Sequence, residues 1–471
     1  MTALQPHPVL TPSTTLDALL PSTLTQEAQG PLDAAAQTAA HTVTRLDIFN
    51  GYLGAFVLAF VVTLLTTPLM RRLALTNGVV DVPHSSRKMH RAPVAYLGGV
   101  AVYLGLLAAI AYAYLAPRAP LLFLYEPHPT SLLQRRDSLL VILAGMTAIM
   151  LAGLLDDVVG VSPRVKIAGM LFAAAFLAMA DIGVRVAQGV LGPIGSLIGN
   201  PAMTWDVTIP LLGASVHLDL IYWAGTLIIA LCVLGACNAS NLLDGLDGLL
   251  TGVTAIAAAG LLFIALTLAM LDDGPLDASR IVLCMGLLGA TLGFLPHNFR
   301  PASIFLGDAG SLLLGFVAIV LVLSLGDTGR TSLVVAGLLI YALPIIDTSL
   351  AIVRRRMAGQ PIFSADKHHL HHMLARRVGV VGAVFSLYAI AAAFAGLGVL
   401  VSLGRARLAY AIALTLAAYI AVTAVKMARR RVEQEAAEQE ALPPSPAGAP
   451  TAPAADGAPL TEEEPAAPRL V

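Results

Sequence analysis

Long apolar stretches alternate with short polar ones along most of the chain, near 49–69, 95–115, 138–155, 166–183, 217–237, 248–271, 279–296, 309–326, 331–352, 380–402 and 408–425. Each approaches the roughly 20 residues that carry a helix across a hydrocarbon core with every backbone polar group bonded internally. The pattern predicts an all-α, polytopic integral membrane protein with about eleven transmembrane helices. Between Val184 and about Val216 the glycines, prolines and alternating apolar positions predict an external loop carrying a hairpin.

An odd number of spans puts the termini on opposite sides. With the N-terminus outside, the inside segments hold 19 of the 28 Lys and Arg, and the outside segments hold the rest, among them Arg45, Arg118, Arg280 and Arg330. The positive-inside rule therefore predicts a cytoplasmic C-terminus. Residues 1–45 are rich in Thr, Ala, Pro and Ser and lack a basic segment followed by an apolar one. They read as a disordered extracytoplasmic segment, not a signal peptide. The membrane domain is expected at 46–432, and the Ala, Pro and Glu of 433–471 predict a disordered cytoplasmic tail.

Composition sharpens this. The chain is 57% hydrophobic and only 12% charged, with a mean hydropathy of +0.80, against about 25% charged residues in a soluble domain. A soluble enzyme is excluded. The net charge of -1 lacks the basic excess of a nucleic-acid binder. Cys232, Cys237 and Cys284 sit in apolar runs without CxxC or zinc spacing and read as small buried hydrophobes.

Five polar clusters interrupt the apolar pattern, and the predicted topology puts all of them at cytoplasmic helix ends. One shared face points to one site. The first is a basic loop with Arg87, Lys88, His90 and Arg91 leading to Leu97-Gly98-Gly99; it serves topology or clamps phosphates. The second is Asp156-Asp157, followed by Arg164 and Lys166. Two adjacent carboxylates beside a bilayer need a compensating cation or a proton-handling task.

The third cluster runs from Asn238 through Asn241, Asp244 and Asp247 to Gly248. Asp244 and Asp247 share a face if helical, and these oxygens are hard ligands of the kind Mg²⁺ takes. The fourth places Asp308 between glycines at the start of a span, as an N-cap or beside a phosphate at a helix N-terminus. The fifth joins Arg354, Arg355 and Arg356 to Asp366, Lys367, His368, His369, His371 and His372. The histidines are a zinc candidate, but without cysteine they suit a pyrophosphate better.

In their order, RKMH with LGG, LDD, NASNLLDGLDGL, FLGDAGS and the Arg run with DKHHLHH resemble the membrane polyprenyl-phosphate N-acetylhexosamine-1-phosphate transferases, glycosyltransferase family 4. The resemblance covers roughly residues 50 to 425. His369-Leu370-His371-His372 looks like the WecA/TagO branch, which transfers N-acetylglucosamine 1-phosphate, and differs from the three consecutive histidines of the MraY branch. One departure is Ala95, followed by Tyr96, where family members often read Pro-x-x-Gly-Gly with proline at the position of Ala95.

The resemblance implies attack by undecaprenyl phosphate on the sugar-linked phosphorus of a UDP-N-acetylhexosamine, most simply UDP-GlcNAc, releasing UMP at the cytoplasmic face of the cell membrane. It implies Mg²⁺, with Mn²⁺ as a substitute, on Asp308 with Asp157 and Asp247. Asp156 would position or deprotonate the lipid phosphate, or form a covalent phospho-Asp. Asn238, Asn241 and Asp244 would orient the nucleotide or its metal. Lys88, Arg354, His369, His371 and His372 would contact pyrophosphate or sugar. A homodimer is compatible with the family. The alternatives are transfer from UDP-N-acetylmuramoyl pentapeptide and, from another class, an ion or metal transporter.

Overall fold

The computed structural model describes residues 44–81, 93–115, 136–209, 214–271, 277–357 and 369–441. Most of the N-terminal segment, the basic loop with Lys88, the stretch 361–368 and the tail after 441 lie outside the described residues. Contacts divide the chain into Met1–Ala421, which carries every candidate site residue, and Val422–Val471.

The first helix, α1 (Arg45–Thr76), opens on a capping box in which Thr44 and Asp47 each satisfy the other's backbone N–H. A short antiparallel pair, β1 (Val80–Asp81) and β2 (Val94–Ala95), leads into α2 (Gly98–Leu115). Then come α3 (Arg136–Val159), α4 (Pro163–Met179) and α5 (Val186–Leu197). The expected hairpin is β3 (Thr204–Ile209) paired antiparallel with β4 (Ala214–Asp219). It joins α5 to α6 (Leu220–Leu243); α5 and the hairpin together link the ends of α4 and α6 remote from Lys166 and Asn241. Helix α5 was not anticipated; Pro193 and five neighbouring glycines and small residues disguise it.

The remaining helices are α7 (Leu249–Met270), α8 (Asp277–Asn298), α9 (Gly307–Ser324), α10 (Thr331–Ile340), α11 (Ala342–Met357), α12 (Leu370–Ser402) and α13 (Ala406–Ala441). The last continues as helix past the tail boundary expected at 433.

Among the described residues nine helices are long and apolar enough to cross a membrane, or ten if α10 and α11 count as one span. This is an all-α, multi-pass membrane protein. Two stretches differ from the even pattern expected. Helix α4 has 17 residues, about 25 Å at about 1.5 Å per residue, a little short of the roughly 30 Å core. The stretch at 331–352 is two helices bent by 75°. Pro344 gives the reason: its ring would meet the carbonyl four residues back, at Ile340, where α10 ends. The buried Tyr341 hydroxyl pins this break to the Ser240 hydroxyl on α6.

Burial is graded around one helix. Every residue from Ala309 to Ser324 on α9 is buried, packed among α2, α3 and α6. Helix α1 leaves Leu65 and Leu69 exposed, and α6 leaves Trp223, Leu227 and Leu231 exposed. A helix apolar all round belongs in the middle of such a bundle. The N-terminus of α9 therefore delivers Asp308 to the centre of one end of the molecule.

Candidate active site

Asp308 lies in the first turn of α9. Gly307 before it has φ 68°, and a Cβ there would run into the carboxylate of Asp157. Only glycine meets both conditions. Asp157, near the end of α3, accepts the backbone N–H of Asp308 at 2.8 Å and that of Ala309 at 3.0 Å. One carboxylate thus satisfies two of the N–H groups that every helix start leaves unpaired, and it complements the dipole.

Neighbouring residues on a helix point about 100° apart, so Asp156 serves other partners. Its Oδ2 lies 2.7 Å from Lys166 Nζ, and Lys166 also donates to Asp308. Its Oδ1 accepts the N–H of Val161 at 3.0 Å, which fixes the turn into α4. The Lys166 ammonium therefore bridges Asp156 and Asp308.

From the last turn of α6, Asn241 donates to Asp308 Oδ1 at 2.8 Å and to Ser311 Oγ at 3.0 Å. Asn238, one turn earlier, directs its amide to its own helix, donating to Leu234 O at 2.7 Å, and reaches Met170 Sδ at 3.5 Å. The expected helical pairing of Asp244 with Asp247 is replaced by a turn, because α6 ends at Leu243 and α7 begins at Leu249. Asp247 accepts the N–H of Ala302 at 3.2 Å and so ties this turn to the loop before α9. Burial, then the charges of Asp308, Asp157 and Asp247, push Asp244 up to about 8.

The first and fourth clusters form one backbone ladder. Gly98 and Gly99 donate to the carbonyls of Phe305 and Leu306 at 3.0 and 2.9 Å, and Phe305 donates to Ala95 O at 2.9 Å. Ala95, where the family often has proline, contributes a carbonyl that either residue supplies. Burial, the charge of Asp81 and those of Asp157 and Asp308 raise the Tyr96 phenol, leaving a neutral hydroxyl-bearing ring beside the carboxylates.

The histidines approach from α12. His369 precedes its first residue, His371 is buried, and the His371 and His372 rings are 4.3 Å apart. A Cβ on Gly245 would overlap His371 Nε2, so the imidazole lies directly against the Asp244–Asp247 turn. Arg354 stands half-buried in the last turn of α11. Lys88 lies outside the described residues.

The structure thus joins Asp156, Asp157, Asn241, Asp308 and, through the turns, Asp244, Asp247 and His371. Sequence reasoning missed Lys166 as a member, although two adjacent acids asked for a cation nearby. It also missed Ser311 and Asp347, treated below. The Asp308 carboxylate is held by Asn241 and Lys166, with Asp156 on the same ammonium and Asp157 on the backbone beside it. Carboxylate oxygens are the ligands a hard divalent cation takes. Lys166 already shows that a cation is accommodated between Asp156 and Asp308.

Similarity to known proteins agrees with this architecture. A probable undecaprenyl-phosphate N-acetylglucosaminyl 1-phosphate transferase of Bacillus subtilis (strain 168) is 31% identical over 352 residues, 71% of this chain and 84% of that one. The model of glycosyl transferase family 4 matches residues 139–326. The chain belongs to glycosyl transferase family 4. Other similar members are the undecaprenyl-phosphate alpha-N-acetylglucosaminyl 1-phosphate transferase of Escherichia coli (strain K12), 30% identical over 348 residues, 72% of this chain and 81% of that one. A decaprenyl-phosphate N-acetylglucosaminephosphotransferase of Mycobacterium tuberculosis (strain ATCC 25618 / H37Rv) is 32% identical over 329 residues, 67% and 74% of the two chains. The family match spans Asp156, Asp157, the Asn241–Asp247 turn and Asp308, the residues that the bonds above bring together.

Proposed function

We propose that the chain transfers N-acetylglucosamine 1-phosphate from UDP-GlcNAc to undecaprenyl phosphate, releasing UMP, at the cytoplasmic face of the cell membrane. The observation that carries this reading is the convergence of Asp156, Asp157, Asn241 and Lys166 on Asp308 at one end of an apolar bundle. A lipid acceptor keeps its chain in the bilayer while its phosphate reaches helix ends. The relatives named above support the sugar and the polyprenyl acceptor.

In the reaction an oxygen of the lipid phosphate forms a bond to the sugar-linked phosphorus. The bond from that phosphorus to the UMP oxygen breaks, and UMP departs with the electron pair. Two anions must meet in line, so positioning and charge neutralisation supply most of the catalysis. A Mg²⁺ ion held by Asp308, with Asp157 and Asp247 beside it, would neutralise phosphate charge and polarise the phosphoryl group. Asp157 keeps Asp308 at the helix start, and each of its oxygens has a lone pair left beyond its backbone bond.

A phosphate monoester has a second pKa near about 6 and is largely dianionic at neutral pH. Asp156 therefore acts chiefly by positioning, holding Lys166 beside the acceptor phosphate. Asn241 orients the Asp308 carboxylate. His371, His372 and Arg354 approach the same end and supply polar contacts for diphosphate or sugar.

The test is transfer from radiolabelled UDP-GlcNAc to undecaprenyl phosphate in detergent, with and without Mg²⁺, following labelled lipid and released UMP. Metal-dependent labelling with equimolar UMP is expected. Labelling only from another UDP-sugar or from the pentapeptide nucleotide would overturn the choice of donor, and silence with every UDP-sugar would overturn the reaction.

A further inference from the structure

Asp347 lies on α11 behind the residues treated so far, and its side chain is 2% exposed. A carboxylate so deeply buried is costly unless its oxygens are bonded. Its Oδ1 accepts the N–H of Leu370, the first residue of α12, at 2.9 Å. Its Oδ2 faces His369 Nδ1 at 3.1 Å and His371 Nδ1 at 3.6 Å. The first is a hydrogen bond; the second is an electrostatic approach. The His369 and His371 rings stack at 5.4 Å and 19° around that oxygen.

An ionised carboxylate only accepts, so a nitrogen facing it is the one that carries a proton. With Nδ1 turned to Asp347, Nε2 of His371 is left pointing the other way. That nitrogen lies against Gly245, between Asn241 and Asp247. It is buried and has no hydrogen-bond partner among the described residues. Buried polar atoms are nearly always paired, and one left open toward a site is available to a ligand.

We propose that Asp347 is a positioning residue: it holds Nδ1 of His369 and His371 so that Nε2 of His371 faces the Asp244–Asp247 turn and the diphosphate bound there. The role in transfer rests on the function proposed above; the orientation of the imidazoles does not. The carboxylate acts through histidine as outer partners of an active site do, fixing tautomer and ring direction.

The informative variant is Asp347→Asn, which keeps an amide oxygen for the Leu370 N–H and turns an NH₂ donor toward the imidazoles. The expected result is a fall in kcat of about 10- to 100-fold, an unchanged melting temperature in detergent and a KM for UDP-GlcNAc within about 2-fold of wild type. His371→Ala should cost a similar factor, and the pair no more than either alone, because both changes remove one device. Multiplying costs would mean that Asp347 serves only the fold, and would overturn the proposal.

A second measurement needs no turnover. In ¹⁵N-histidine NMR of the whole protein, with His369→Gln and His371→Gln used for assignment, Nδ1 should be protonated in the wild type and lose its proton in Asp347→Asn. Wild-type Nδ1 without a proton would overturn the proposal. So would a stoichiometric transition metal that Asp347→Asn releases, since Asp347, His369 and His371 are close enough to hold one. Loss of transfer with every UDP-sugar alongside the expected spectra would sink the transferase reading and leave the orientation standing.

Discussion

Asp157 accepts the backbone N–H of Asp308 at 2.8 Å, across 151 residues of sequence. Through this bond the end of α3 sets the start of α9, and two carboxylates come together without facing each other. Asp157 meets its partner through the amide, which leaves the Asp308 carboxylate to Asn241 and Lys166. The arrangement divides the work between an acid that caps and an acid that remains available to a cation.

Asp308→Asn keeps the size of the side chain and removes its charge. Transfer should fall at least about 100-fold, the order seen when one preorganised electrostatic group is lost. Chelation with EDTA should stop the wild-type reaction, and Mg²⁺ or Mn²⁺ should restore it. Initial rates against metal concentration check both; near-wild-type turnover by the variant at low Mg²⁺ would remove Asp308 from the metal site.

Asp244 gives a pH dependence of stability. Its carboxyl is raised to about 8 in the fold, against about 3.9 in an unfolded chain. Between these values the unfolded state loses the proton while the folded state keeps it, so stability from this group is full below about pH 4 and is lost as pH rises toward about 8. Melting temperatures in metal-free detergent should fall across this window, and Asp244→Asn should flatten the profile. An identical slope in the variant would assign the effect to another group.

Gly307→Ala places a methyl where the Asp157 carboxylate lies, on a residue whose φ is 68°. The left-handed conformation alone costs about 1–2 kcal/mol for an L-residue. The overlap must also displace Asp157 from the helix start. Both melting temperature and kcat should drop, whereas Ala309→Gly, two residues on, should lower kcat far less. Equal activities for the two variants would separate the cap from catalysis.

At the other end of the bundle Arg280 is buried and donates to Asp277 at 2.5 Å and to Ser324 O at 2.6 Å. Arg280→Met leaves a buried carboxylate without its cation, a loss of about 3–5 kcal/mol when one partner is removed. The melting temperature should fall markedly while the KM for UDP-GlcNAc of the remaining folded enzyme stays the same. A changed KM with an unchanged melting temperature would contradict a purely structural pair.

The chain's own pattern determined that this is a helical membrane protein, because apolar runs near the span length can satisfy their backbone only as helices in lipid. It also supplied the acids and asparagines of the site, because such groups are costly beside a bilayer and stand out against it. The tertiary structure decided what each of them does. Asp156 and Asp157 are adjacent in sequence, yet one holds Lys166 and the other caps α9, a split set by the helical rotation between them and by where α4 and α9 arrive. Asp244 and Asp247 lie in a turn, since the helix that would align them ends at Leu243. Pro344 was visible and signals the break at Ile340. Asp347 reads as an ordinary polar residue in an apolar run, and only the arrival of α12 from the far side of residues 358–368 brings His369 and His371 to it. Periodicity reports local burial, whereas a carboxylate's role depends on which donors come within about 3 Å, and helices distant in sequence provide them.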